Sequence, residues 1–331
     1  MSELQGILRR EVAKLLEEGT VDLFVGYVDA DLPLKTSVRF LRSPEEAEAL
    51  VWNASCTSNP AALLPPLFRR PEGLRGEWTP PRVGILAKGC VSRSVVGLIN
   101  ARQVPRDSLY ILGIGCDGVI DRHRVMQRLG VAELAEASVE DGNVTVRATD
   151  GTAQTLELVE ALYAGCRVCR HHAAVIADAT IGGEPAPSDD ETRYADVEAF
   201  SERSSEERWM AFMEEISRCV RCYACREACP NCYCNECFAD ETAPKWIGVT
   251  TDPADLAFFH IGRAYHQAGR CVDCGACVAA CPQGIDLRLL NQKVNQDVAV
   301  LFGGEASVSL EEPEPLCQFA MEDDQGFMTE P

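Results

Sequence analysis

The chain has 331 residues, 46% of them hydrophobic, which is enough for two domains and at least one substantial core. Its 51 acidic residues against 31 basic ones give a formal charge of −20, which repels phosphate backbones and excludes nucleic acid as an expected partner. No run approaches the roughly 18 apolar residues of a membrane helix, and the opening MSELQGILRREVAKLLEEG lacks a signal-peptide layout, so a cytoplasmic protein with no membrane span is expected.

The first segment places Leu4, Ile7, Leu8, Val12, Leu15 and Leu16 on one helical face, as a helix packed on a sheet requires. From Val21 to Gly183, VDLFVGYV, RVGILA, SLYILGIG and AAVIAD read as strands, and SRSVVGLINAR and TLELVEALYAG as helices. Residues 1–183 are therefore expected to form an α/β domain. Residues 184–207, rich in Gly, Pro, Ser and acidic side chains, read as an acidic linker. Over residues 208–302 the pattern is mostly α-helical: Trp209, Phe212, Met213 and Ile216 share a face, as do Ala257, Phe258, Ile261, Ala264, Tyr265 and Ala268, and Leu287, Leu290, Val294, Val298 and Leu301. Gly269 suits a helix C-terminus and Asp286 a helix cap. Residues 303–331 form an acidic tail, expected to be mobile or to order on a partner.

Seventeen cysteines in a chain this large, grouped at ligand spacings, point to metal thiolates before disulfides. Cys219, Cys222, Cys225 and Cys229-Pro230 spell Cys-x2-Cys-x2-Cys-x3-Cys-Pro, and Cys271, Cys274, Cys277 and Cys281-Pro282 repeat it, which is the signature of two [4Fe-4S] clusters. Three thiolates two residues apart wrap three irons of a cubane, and the fourth ligand crosses over from the other motif. Cys219, Cys222, Cys225 and Cys281 are thus assigned to cluster 1, and Cys229, Cys271, Cys274 and Cys277 to cluster 2. Structural zinc lacks the third cysteine and the following proline. Cys232, Cys234 and Cys237 in CPNCYCNEC have no second copy. Three readings stay open for them: a further cluster completed by an outside ligand such as Cys317, replacement of an assigned ligand, or packing thiols.

In the α/β half, Cys90 and Cys116 each follow an expected strand, and Cys166 and Cys169 follow an expected helix in AGCRVCRHH. Strand ends on one edge of a parallel sheet come together, so these four could hold a third [4Fe-4S] cluster or be buried cysteines. His171 and His172 beside them suit either a cluster-tuning or proton-relay role or simple packing. There is no nucleophilic triad, P-loop or strand-borne Gly-x-Gly-x-x-Gly.

The long helical insertion between the duplicated motifs resembles the α-helical ferredoxin domains of heterodisulfide reductase subunits, over about Trp209 to Leu301. The order KGC, GIGC, then GCRVC followed by ADATIGG resembles the beta-subunit family of coenzyme F420 hydrogenases and formate dehydrogenases, over about Leu4 to Gly183. That resemblance implies one [4Fe-4S] cluster on Cys90, Cys116, Cys166 and Cys169, with FAD beside it. The chain departs from the family at Leu4, Gln5 and Gly6, where a Ser-Gly-Gly turn contacts the flavin phosphate, and at His171 and His172, where an acidic residue is common. The resemblances imply an electron-transfer subunit of an anaerobic oxidoreductase complex of the formate dehydrogenase, hydrogenase or heterodisulfide reductase kind, with other subunits as partners. The alternative is an iron-sulfur flavoprotein exchanging hydride between FAD and deazaflavin or another soluble carrier.

Overall fold

The computed structural model describes residues 3–183, 192–312, 314–317 and 321. Its central sheet runs β2 (Thr36–Leu41), β1 (Leu23–Asp29), β3 (Val83–Ala87), β4 (Leu109–Ile114), β8 (Ala179–Ile181), with β2 antiparallel at one edge and the other four parallel. Parallel strands must be covered on both faces, and VGILA of β3 is buried along its whole length. The helix Glu3–Glu17 packs Leu8, Val12 and Leu15 on one face, as its apolar stripe requires. The helix Gly89–Asn100 packs Val91, Val95 and Leu98 on the other. Phe24 is fully buried with its ring against Gly84, where an added Cβ would come within 2.3 Å of it.

Two sequence expectations fail locally. AAVIAD is loop, and the edge strand is the Ala179–Ile181 that follows it. TLELVEALYAG is half strand, because β7 (Ala153–Glu157) closes an antiparallel meander with β5 (Leu134–Glu140) and β6 (Asn143–Ala148). The Asp141-Gly142 turn, with φ of 48° and 74°, is the hairpin signal that marks this sheet.

The second half is helical. Ser204 and Glu207 form a capping box ahead of the helix Ser205–Ser217, and Asp252 caps Pro253–His266. Asp286 Oδ1 accepts from Arg288 N at 2.8 Å where the helix Arg288–Phe302 begins. The expected apolar faces of the last two helices hold at Ala257, Ala264, Leu287 and Val298, which are buried, and fail elsewhere. Phe258 and Tyr265 are exposed, whereas His260, Arg263 and Gln267 are buried. Arg288, Asn291, Gln292 and Asn295 are likewise buried in place of Leu290, Val294 and Leu301. Both helices turn a polar stripe inward because their neighbours are cysteine-bearing loops.

Of the expected linker, residues 184–191 lie outside the described residues, and Ala195–Ser201 is a helix whose Asp196 pairs with Arg288. The acidic tail packs on its own chain as far as Cys317: Arg93 donates to Ala306 O at 2.6 Å, and Asn100 to Ser309 O at 3.3 Å. Residues 318–320 and 322–331 lie outside the described residues. Among the described residues, no helix is long and apolar enough to cross a membrane.

Phe24→Ala is expected to destabilise the α/β half by about 3–5 kcal/mol, read by anaerobic urea denaturation. A loss below about 1 kcal/mol would contradict this account of the core.

Candidate iron-sulfur sites

The two ferredoxin motifs repeat in backbone as well as sequence. Arg221 and Tyr223 in the first loop have φ of 52° and 60°, and Asp273 and Gly275 at the same places in the second have 57° and 71°. A one-turn helix follows each, Ala224–Glu227 and Ala276–Ala279. Left-handed residues alternating through a loop turn successive N–H groups toward its concave side, where anionic sulfur needs donors. Arg221 N accordingly donates to Cys219 Sγ at 3.3 Å.

Cys219, Cys222, Cys225 and Cys281 line a single cavity together with His260. Ile285 N donates to Cys281 Sγ at 3.4 Å. Cys229, Cys271, Cys274 and Cys277 are electrostatic neighbours of one another. The Arg288–Phe302 helix holds their loop, with Asn295 donating to Cys271 O at 2.7 Å. Cys90, Cys116, Cys166 and Cys169 line a third cavity, which Cys274 of the second motif also lines. Tyr163 and Val278 pack where these two halves meet.

The third cavity depends on a close approach at Gly89, where a Cβ would lie 1.8 Å from the His171 carbonyl oxygen. Cys116 N donates to His172 O at 2.9 Å, and the His172 Nδ1 lies 2.8 Å from Cys116 O. His171 Nε2 lies 3.2 Å from Glu305, which also pairs with Arg93 at 3.0 Å and Arg193 at 2.5 Å. Burial works to raise the Glu305 carboxyl, but the contact with His171 and the charges of Arg93 and Arg193 outweigh it and hold the group well below the usual carboxylate range.

Sequence reading missed the cations that serve these sites. Lys88 is 2% exposed and donates to Cys56 O. Burial pulls its ammonium down, yet Tyr27, Cys90, Cys116 and Cys56 together hold it raised. Arg263 is buried against both ferredoxin quartets and donates to Cys225 O at 3.0 Å. His260 is buried with neither ring nitrogen partnered, and burial, then Arg263 and Arg221, pull it down to about 4. The signal was present in the sequence as His260, Arg263 and Gln267, spaced to share one side of an otherwise apolar helix.

The donor set fits iron-sulfur clusters: three groups of four free thiols, backbone N–H donors and buried cations. Among the described residues no three such side chains converge on a single-ion position. A tetrahedral zinc with ligands at about 2.0–2.3 Å is therefore the poorer match. Cys232, Cys234 and Cys237 line a separate cavity, and Cys317 an adjoining one. Cys56 is buried in the core and faces Val51 O.

Burial pushes the Cys166, Cys225, Cys271 and Cys277 thiols up to about 12. They are protonated at neutral pH and must lose those protons to bind iron, so uptake is favoured as pH rises. Iron loading of the cluster-free chain at fixed iron and sulfide is expected to increase between about pH 6.5 and 8.5. A flat or falling profile would contradict it.

Residues 215–285, which include all eight ferredoxin-motif cysteines, match the family model of the 4Fe-4S dicluster domain. The chain is similar to the F420-dependent formate dehydrogenase subunit beta of Methanocaldococcus jannaschii, at 21% identity over 67% of this chain and 73% of that protein. It is also similar to the F420-dependent formate dehydrogenase 1 subunit beta of Methanococcus maripaludis, at 20% identity over 56% of this chain and 63% of that one. A chain of the F420-reducing [NiFe] hydrogenase complex from Methanosarcina barkeri aligns over 64% of this chain and 85% of its own, at 16% identity and a TM-score of 0.38, which is too loose to carry a structural argument. The chain thus carries a 4Fe-4S dicluster domain, is related to formate dehydrogenase beta subunits, and is an iron-sulfur protein of electron transfer.

Proposed function

We propose that the chain is the iron-sulfur relay of a multi-subunit oxidoreductase and holds three [4Fe-4S] clusters. Cys219, Cys222, Cys225 and Cys281 would hold the first, Cys229, Cys271, Cys274 and Cys277 the second, and Cys90, Cys116, Cys166 and Cys169 the third. Such clusters supply one-electron storage over potentials of about −700 to +450 mV. The observation that carries the reading is that Cys274 lines the same cavity as the third quartet, while Cys277 of the same motif neighbours Cys225 of the first, so the three quartets adjoin in series. The chain's own residues neutralise sulfur charge, with Arg263 between the first two quartets and Lys88 beside the third. The domain division follows the same reading: an α/β unit over residues 1–183 bears the third quartet, a segment over 184–207 connects, residues 208–302 bear the first two, and the acidic tail begins at 303, its residues 303–312 and 314–317 folding back as an arm.

The partners we propose are the other subunits of a complex of the kind to which the beta-subunit relatives' names belong. Stable FAD binding is not part of the reading. Gly6 lies inside a continuous helix, and the helix start at Gly89 is covered by the His171 carbonyl. The Asn59 side chain, at the start of the short helical turn Pro60–Leu63, accepts from Ala61 N and so occupies a backbone N–H that could otherwise serve a phosphate.

Anaerobic reconstitution is expected to give about twelve irons per chain, four in each of three clusters. A ceiling near eight would remove the third. Cys281→Ala should lose the first cluster and spare the second, as crossover ligation requires; loss of the second alone would contradict the assignment. Isolated chain should carry little flavin, and one tightly held FAD per chain would favour the hydride-exchanging alternative.

A further inference from the structure

Cys232 sits one tight turn beyond Cys229, with Cys232 N donating to Cys229 O at 3.0 Å across Pro230 and Asn231. Asn231 anchors the turn by donating to Arg270 O at 2.8 Å. Both sulfurs face one side chain: Cys229 Sγ lies 3.5 Å from Gln267 Oε1, and Gln267 Nε2 lies 3.4 Å from Cys232 Sγ. Gln267 is 3% exposed, so this clamp is built into the interior. An amide presents one acceptor and one donor. Its oxygen suits a protonated thiol and its N–H suits a thiolate, and a half-turn about the last side-chain bond exchanges the two.

We propose that Cys229 and Cys232 are interchangeable ligands for one iron of the second cluster, with the Gln267 amide selecting between them. The inference rests on the cluster assignment proposed above. In the exchange Cys232 takes the iron as Cys229 releases it: one Fe–S bond forms and one breaks. The Cys232 proton passes to the released Cys229 sulfur, and no electron is gained or lost. The arrangement is confined to this apex, because Cys281, which follows the second motif as Cys229 follows the first, has Gly284 three residues on and no second sulfur.

The test is iron and sulfide content, with electron paramagnetic resonance of the reduced state, on full-length chain reconstituted anaerobically. The variants are Cys229→Ala, Cys232→Ala, the double variant and Cys271→Ala. Each of the first two singles should keep about twelve irons, and the double should keep about eight. The spectrum of the second cluster should differ between Cys229→Ala and Cys232→Ala, because the retained sulfur differs. Retention of the other two clusters in the double variant shows that it has folded. Loss of about four irons in either of those singles, or no loss in the double, would overturn the proposal. So would a wild-type count near sixteen, which would put Cys232 on a fourth cluster. Cys271→Ala that keeps about twelve irons would sink the cluster assignment itself, and the ligand pair with it.

Discussion

Each thiolate that binds iron carries negative charge into a low-dielectric interior, where an unpaired charge is far costlier than a lost hydrogen bond. Much of the structure follows from that constraint. The ferredoxin loops adopt left-handed backbone at Arg221, Tyr223, Asp273 and Gly275. Strain of this kind at non-glycine residues persists only where the surroundings fix it, and here it buys N–H groups aimed at sulfur. The helices beside the loops bury Arg263, Gln267, Gln292 and Asn295 where leucines would otherwise pack. The α/β half meets the same demand with Lys88 beneath the third quartet.

The arm and the linker helix belong to this electrostatic frame. Glu305 gathers Arg93, Arg193 and His171 at the rim of the third cavity, and Arg288 ties Asp196 to Asp273 beside the second motif. Segments that carry a large share of the acidic excess thus neutralise cations that would stand uncompensated near the cysteines. Charge that looks like solvated surface in composition is partly internal counter-charge in the fold.

The ferredoxin half was legible because ligand spacing is a covalent constraint, read directly from Cys219 to Cys229 and from Cys271 to Cys281. The parallel strands β1, β3 and β4 were legible from continuous apolar runs. Short strands with exposed faces were not: β5, β6 and β7 carry Glu, Thr and Gln on solvent, so TLELVEALYAG mimicked a helix. The helix faces held only in part, for a different reason. Hydrophobic periodicity assumes that the buried side is apolar, and next to buried sulfur it is His260, Arg263 and Gln267 that turn inward. The company of Cys90 and Cys116 with Cys274 lay beyond sequence altogether, since it depends on how the two halves meet.

The measurement that tests the account most directly is anomalous diffraction at the iron edge from anaerobically grown crystals of the loaded chain. The account predicts three separate groups of iron, the middle one bound by Cys271, Cys274 and Cys277 and lying between the other two. Iron confined to the ferredoxin motifs, with none among Cys90, Cys116, Cys166 and Cys169, would contradict it.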